Sequence, residues 1–200
     1  MDKNPNQSSL TGISEAKKYL NENTLTAVLC SKPFAKAAFF CKLIDETDIP
    51  VIYLDFDLLY SGYVKSEMVS KDENVSLFAP SKDDWTQILQ KILLMISSQK
   101  SIVILDSLNG LYNLFEGKDI GRKINAYIML LVFVAKGSSS SVLFSSMARK
   151  KDSEGWVLSP TGRRVIDTKM TKMYLKKYNS EITAEVIGHD EAVVNSIKII

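Results

Sequence analysis

Lys36 stands in the seventh place of an octet, Cys30-Ser31-Lys32-Pro33-Phe34-Ala35-Lys36-Ala37, between two apolar runs, Leu25 to Leu29 and Ala38 to Ile44. Strand, short turn and helix is the setting of a phosphate-binding loop, G-x-x-x-x-G-K-[ST]. Only the lysine keeps its place. Cys30 and Ala35 stand at the two glycines, and Ala37 stands at the magnesium-binding hydroxyl. A phosphate loop holds its anion with inward-pointing backbone N–H groups at a helix start, and glycine lets the chain wrap that closely. Pro33 removes one N–H and fixes its φ. Phe34 adds bulk beside the anion, and Ala37 has no oxygen to offer Mg²⁺. Taken alone, the octet is more simply an ordinary strand-to-helix turn with Lys36 on the surface. Lys36 and Ala37 are therefore vestigial phosphate-loop positions.

Carboxylates stand at two further strand ends. Val51 to Asp55 is a short, continuous apolar run with Asp55 at its end and Asp57 two residues on, and Ser101 to Asp106 ends in Asp106-Ser107. In an open parallel sheet, ligands bind at the carboxyl ends of the strands. A buried apolar strand ending in Asp has the shape of a Walker B element, whose carboxylate positions Mg²⁺. The plainer alternative is that Asp106 caps the turn that follows. Asp57 and Asp106 are vestigial candidates, and no residue is assigned a working catalytic role.

These residues need a sheet to position them, and the chain supplies one. Its 200 residues, 46% hydrophobic and 24% charged, are enough for one α/β domain with a substantial core. The net charge of +2 offers no global polyelectrolyte argument. Two cysteines, Cys30 and Cys41, and the single His189 exclude a zinc cluster or a disulfide framework, so no metal site is expected. Both cysteines read as small core residues in a reducing compartment. The polar N-terminus has no signal-peptide pattern, and the longest apolar stretch, Ala126 to Ala135, is too short to span a bilayer. The expected location is cytoplasmic, without a membrane partner.

In chain order, residues 1–10 are polar and expected to be a disordered tail. A short helix over 14–20 precedes the first strand, 25–29. A helix from Pro33 to about Asp45 follows, then strands at 51–55 and 75–78. Ser81, with Asp84 three residues on, marks the start of a helix to about Ser98. It shows Trp85, Ile88, Leu89, Ile92, Leu93 and Ile96 at helical spacing. A strand over 101–106, a helix from about 119 to 136 ending at Gly137, and a strand over 141–145 complete the alternation. Met147 to Gly162 is polar, basic and aperiodic, and reads as a mobile loop. Segments 172–178, 182–187 and 196–200 read as a closing meander. Strands alternating with long helices mean a mostly parallel sheet with crossovers, and the meander adds antiparallel strands at its C-terminal edge.

With these motifs in this order, the chain resembles the RecA-like ATPase core, in particular the archaeal RadA/RadB recombinases and their KaiC-like relatives. VIYLDFD is similar to that family's strand ending Y-[IV]-D-x-E, which puts Asp57 at the place of its catalytic glutamate. ILDSLNGLY is similar to the Walker B segment, which makes Asp106 the magnesium aspartate. Met147-Ala148-Arg149 resembles the start of the family's second DNA-binding loop. Segments 159–162, 171–177 and 187–192 resemble its closing strands. The resemblance covers roughly residues 11–200 and implies a single RecA-like core domain there. The departures fall in one place. Both loop glycines and the Ser/Thr are lost, and the polar sensor after the fifth strand is replaced near Ser145-Ser146. Asp57 is one methylene shorter than glutamate, which misplaces a base by ~1 Å. The scaffold is kept and the engine lost, so no cofactor is expected, and ATP with Mg²⁺ only if the octet still binds it.

Charge is concentrated late in the chain. Met147 to Lys177 carries nine Lys/Arg against three acids, a net +6 that leaves −4 for the rest. Such asymmetry points to an anionic partner on one face. Arg149, Lys150, Lys151, Arg163 and Arg164 are the candidate phosphate contacts, with Trp156 placed to stack on a base. The bland reading is a solvated loop with Trp156 tucked beneath it. The leading functional expectation is a non-catalytic accessory protein of DNA recombination or repair. It would bind single-stranded nucleic acid, expected to be DNA, or a RecA-family recombinase, as a homo- or hetero-oligomer. The alternatives are an atypical, weak ATPase holding nucleotide on Lys36 and Asp106, and an Elongator-like assembly subunit binding tRNA.

Overall fold

A computed structural model of the chain describes residues 12–70, 72–151, 155–159, 170–188 and 190–200. The 1–10 tail, Arg163, Arg164 and His189 lie outside the described residues. The elements run α1 (Gly12–Glu22), β1 (Leu25–Cys30), α2 (Pro33–Asp45), β2 (Val51–Asp55), α3 (Leu59–Lys65), β3 (Val75–Phe78), α4 (Trp85–Ser98) and β4 (Ile102–Asp106). They continue through α5 (Leu108–Leu114), α6 (Ile120–Gly137), β5 (Ser141–Lys151), β6 (Gly155–Leu158), β7 (Thr171–Tyr178), β8 (Glu181–Ile187) and β9 (Val193–Lys198).

The sheet order is β3-β2-β4-β5-β1-β7-β8-β9, with β6 pairing only β5. The strands from β3 to β7 in that order are parallel, and β7-β8-β9 is the antiparallel extension. The four central strands β2, β4, β5 and β1 are adjacent, as their continuous apolar runs require of strands covered on both faces.

Side chains alternate between two cores. Ile52, Leu54, Val103, Leu105, Val142 and Phe144 face α4, α5 and α6. Val51, Tyr53, Ile102, Ile104 and Leu143 face the other way, with α1 and α2. By the same alternation, Asp55, Asp106 and Ser145 point to the α2 side. Each buried branched or aromatic side chain contributes roughly 1.5–3 kcal/mol, so the strands are fixed before any polar contact is considered.

Two short helices follow strand ends that the sequence left as loops: α3 after β2 and α5 after β4. The larger correction concerns Met147 to Gly162. β5 does not stop at Ser145 but continues to Lys151, and β6 returns antiparallel to it, with Lys150 opposite Trp156. Paired strands stand over 148–151 and 155–158 where a mobile loop was expected, while 152–154 and 160–162 lie outside the described residues. The apolar residues of these strands alternate: Ala148, Trp156 and Leu158 join the α4–α6 core, and the Trp156 ring packs on Tyr174 of β7 at 4.8 Å between centroids. The charges of Arg149 to Lys151 hide this from a periodicity reading. No helix among the described residues is long and apolar enough to cross a membrane.

Candidate functional site

The site is built at the carboxyl ends of β2, β4 and β5, beneath the first turns of α2. Pro33 opens α2 at its first position, where its missing N–H costs nothing. The helix therefore starts at the fourth residue of the octet. Only Ser31 and Lys32 separate it from β1, and the Ala35 N–H already donates to the Lys32 carbonyl at 3.1 Å. Lys36 lies one turn in and points down onto the strand ends.

There the lysine is enclosed: its side chain is 1% exposed. Its Nζ donates to Asp106 Oδ1 at 2.5 Å and to Asp57 Oδ2 at 2.6 Å. Asp106 is equally buried, while Asp57 is 29% exposed. The hydroxyl of Tyr53 donates to Asp106 Oδ2 at 2.7 Å, and Ser145 Oγ donates to Oδ1. Both oxygens of the Asp106 carboxylate are thus occupied by donors from β2, β5 and α2. Asp57 is held by the backbone, since the Phe56 and Asp57 N–H groups both donate to the Asp106 carbonyl.

Burial acts on Lys36, Tyr53 and the neighbouring Cys30. For Lys36 burial alone disfavours the charge, but the adjacent Asp106 carboxylate and the hydrogen bonds to Asp106 and Asp57 outweigh it and hold the ammonium above its ordinary value. Burial, reinforced by the Asp106 charge, raises the Tyr53 phenol well above its ordinary range, so it stays a donor. Burial pushes the Cys30 thiol up to about 12, against the pull of Lys36. A thiol held neutral is no nucleophile, and Cys30 is a packing residue whose Sγ reaches the Ser146 carbonyl at 3.6 Å.

Of the two carboxylates at and just after the end of β2, Asp57 joins Lys36 and Asp55 does not. Asp55 Oδ2 accepts the Ser61 N–H at 2.6 Å and so satisfies the first turn of α3. Burial raises its carboxyl, while the Ser61 donors oppose the shift.

The sequence missed three residues that shape this end. Tyr53 and Ser145 became visible only through the strand register. Asn109 in α5 accepts from the Met147 N–H at 2.8 Å and from Ser146 Oγ at 3.1 Å, and donates to the Ser159 carbonyl at 2.9 Å. It ties the hairpin to the end of β4. Its signal was the asparagine just after Asp106-Ser107. Gly110 is its neighbour, and a Cβ there would lie 2.5 Å from Asp57 Oδ1 and 2.7 Å from Phe56 Cβ. Gly110→Ala is expected to destabilise the fold by about 1–3 kcal/mol through overpacking, read as a lower urea midpoint with unchanged slope.

Tested against a magnesium-bound triphosphate, the geometry does not fit. The N–H cradle is replaced by a helix that begins at Pro33, Ala37 offers no oxygen, and the Lys36 ammonium is already shared between two carboxylates. Among the described residues no group of three or more His, Cys, Asp or Glu is placed to hold a metal ion.

No protein-family model matches the sequence, and no curated protein matches it. Among solved structures, the fold is similar to that of the RadB recombinase, with a TM-score of 0.60 at 13% identity, over 88% of this chain and 86% of that one. The fold is RecA-like.

Of the expected nucleic-acid residues, the described ones lie on β5 and β6. Arg149 is exposed on β5. Lys150 Nζ donates to the Glu191 carbonyl at 3.2 Å. Lys151 is half-buried. Trp156 is only 9% exposed, so a base would have to displace it from Tyr174.

Proposed function

We propose that this chain is a RecA-fold accessory protein of DNA recombination or repair that neither binds nor hydrolyses ATP and works by binding single-stranded DNA and a recombinase-type partner. The observation that carries the reading is the ion pair of Lys36 with Asp106 and Asp57. It satisfies within the fold the charges that a nucleotide and its metal would otherwise meet. The likeness in fold to a recombinase supports the setting, and the net +6 between Met147 and Lys177 supports an anionic partner. A protein partner has an apolar surface to meet. Met129, Leu130 and Phe133 are exposed on α6, and neither α4 nor α6 contains an acidic residue.

Titration calorimetry with Mg-ATP is expected to show no binding at micromolar concentrations. Micromolar binding that disappears in Lys36→Ala would overturn the non-catalytic reading and favour the weak ATPase. Fluorescence anisotropy with a labelled single-stranded oligonucleotide at low salt tests the other half.

A further inference from the structure

With Trp156 buried, base stacking must use another ring. Three aromatic side chains stand well exposed among the described residues: Phe34 at 53%, Phe133 at 77% and Tyr178 at 79%. Phe133 lies on α6 beside exposed Met129 and Leu130, with Lys136 of the last turn as the nearest lysine along the helix. Tyr178 alternates with Lys177 and so points to the other face of β7, beside Lys176, whose charge is taken by Glu185 at 2.7 Å.

Phe34 is different. It lies in the first turn of α2, and the Lys177 ammonium sits 4.2 Å from its ring centroid. Lys32, the residue before α2, is exposed and lines the same groove. An open groove of about 370 Å³ runs between these elements, lined by Lys32, Pro33, Phe34, Lys177 and Asn179. No acid lines it, and no carboxylate among the described residues pairs with Lys32 or Lys177. Lys36 takes no part, because it points inward and is sealed.

We propose that this groove, framed by Lys32, Phe34 and Lys177, is the seat of single-stranded nucleic acid, with phosphates on the two lysines and a base against the Phe34 ring. The proposal rests on the single-stranded-binding reading above and moves its contact surface from the hairpin to the start of α2. Two lysines lining a groove with an exposed aromatic ring is the combination that tracks a backbone and stacks a base without reading sequence. An acidic peptide would use the lysines and leave the ring unused, so the ring favours nucleic acid. The replaced phosphate loop thereby acquires a use: Phe34, which blocks a nucleotide, is the residue offered to a base.

The test is anisotropy of a labelled oligothymidylate with the full chain, as a function of salt, repeated with polyglutamate as competitor. Phe34→Ala is expected to weaken binding about 5- to 150-fold with the salt slope nearly unchanged. Lys32→Ala with Lys177→Ala is expected to weaken binding and to flatten the slope of log K against log salt by about 1.4. Arg149→Ala, on the hairpin, should weaken binding less. All the substituted side chains are exposed, and circular dichroism checks that the variants fold. If Phe34→Ala binds like the parent while Arg149→Ala abolishes binding, the groove is wrong and the nucleic-acid reading stands. If the parent binds no oligonucleotide, both fall. If polyglutamate competes as strongly as unlabelled oligonucleotide and Phe34→Ala has no effect, the groove is a site for acidic protein and the proposal is overturned.

Discussion

Lys36→Met is expected to destabilise the fold by about 3–5 kcal/mol, the cost of leaving a buried carboxylate without its partner. The size follows from enclosure. Asp106 is 1% exposed, and removing the ammonium leaves its charge facing only the Tyr53 and Ser145 hydroxyls. Asp57 contributes less, because water reaches it. A lysine serving only a nucleotide phosphate gives the opposite result: its loss spares the fold and removes ligand binding. Chemical denaturation therefore separates a structural from a ligand-binding lysine. Removing all three charges, in Lys36→Met with Asp57→Asn and Asp106→Asn, should recover much of the loss, since replacing a whole buried pair is far milder than breaking it. If the single variant unfolds within 1 kcal/mol of the parent, the enclosure is not a strong one.

The same network sets a pH dependence. Lys36, Cys30 and Tyr53 all hold their protons more tightly in the folded chain than in the unfolded one. A group whose value is raised on folding contributes stability that is whole below its unfolded value and fades as pH climbs toward the folded one. Cys30 begins at 9.0 unfolded and reaches about 12 folded. Lys36 and Tyr53 start from 10.5 and 10.0. Stability measured by urea melts should thus be level with respect to these three groups through neutrality and decline from about pH 9 upward. In Cys30→Ala the decline should be shallower but keep its onset, because burial also raises Cys41 from 9.0 to about 11; only Cys30→Ala with Cys41→Ala should move the onset toward pH 10.

How much of this was legible depended on whether a residue's neighbours lie along the chain or across it. Val51 to Asp55 and Ile102 to Asp106 announce themselves as buried parallel strands, and their terminal aspartates mark the ligand end of the sheet. The mostly parallel sheet follows from such runs and from the helices between them, while its RecA-like character rested on the resemblance of the motifs. By contrast α3 and α5 are seven residues each, too short to show a helical period. From the octet alone Lys36 reads as a surface residue, because its burial depends on Asp106, seventy positions away. Tyr53 and Ser145 converge on that carboxylate only through the register of β2, β4 and β5. The hairpin was the hardest to read. Its outer positions are charged, and what folds it back is a ring on β7 that no local pattern near 147–158 contains.

Trp156→Ala should accordingly register as a stability defect of about 3–5 kcal/mol, the range for truncating a large aromatic in a core. The side chain belongs to the α4–α6 core and lies against Tyr174 at an interplanar angle of 44°. On the strand opposite stands Lys150, whose Nζ is tied to the Glu191 carbonyl, so the cavity has little freedom to collapse. Trp156→Phe is the sharper comparison. The indole Nε1 has no hydrogen-bond partner among the described residues, so phenylalanine forfeits area but no bond, and should lose well under half as much. Thermal melts of the three proteins give the order parent, Trp156→Phe, Trp156→Ala. Oligonucleotide affinity, measured on the folded fraction, should hardly change across the series, because the ring faces Tyr174 and not solvent. A Trp156→Ala protein that melts like its parent yet loses single-stranded DNA would put the tryptophan back on the binding surface and take the Phe34 groove out of contention.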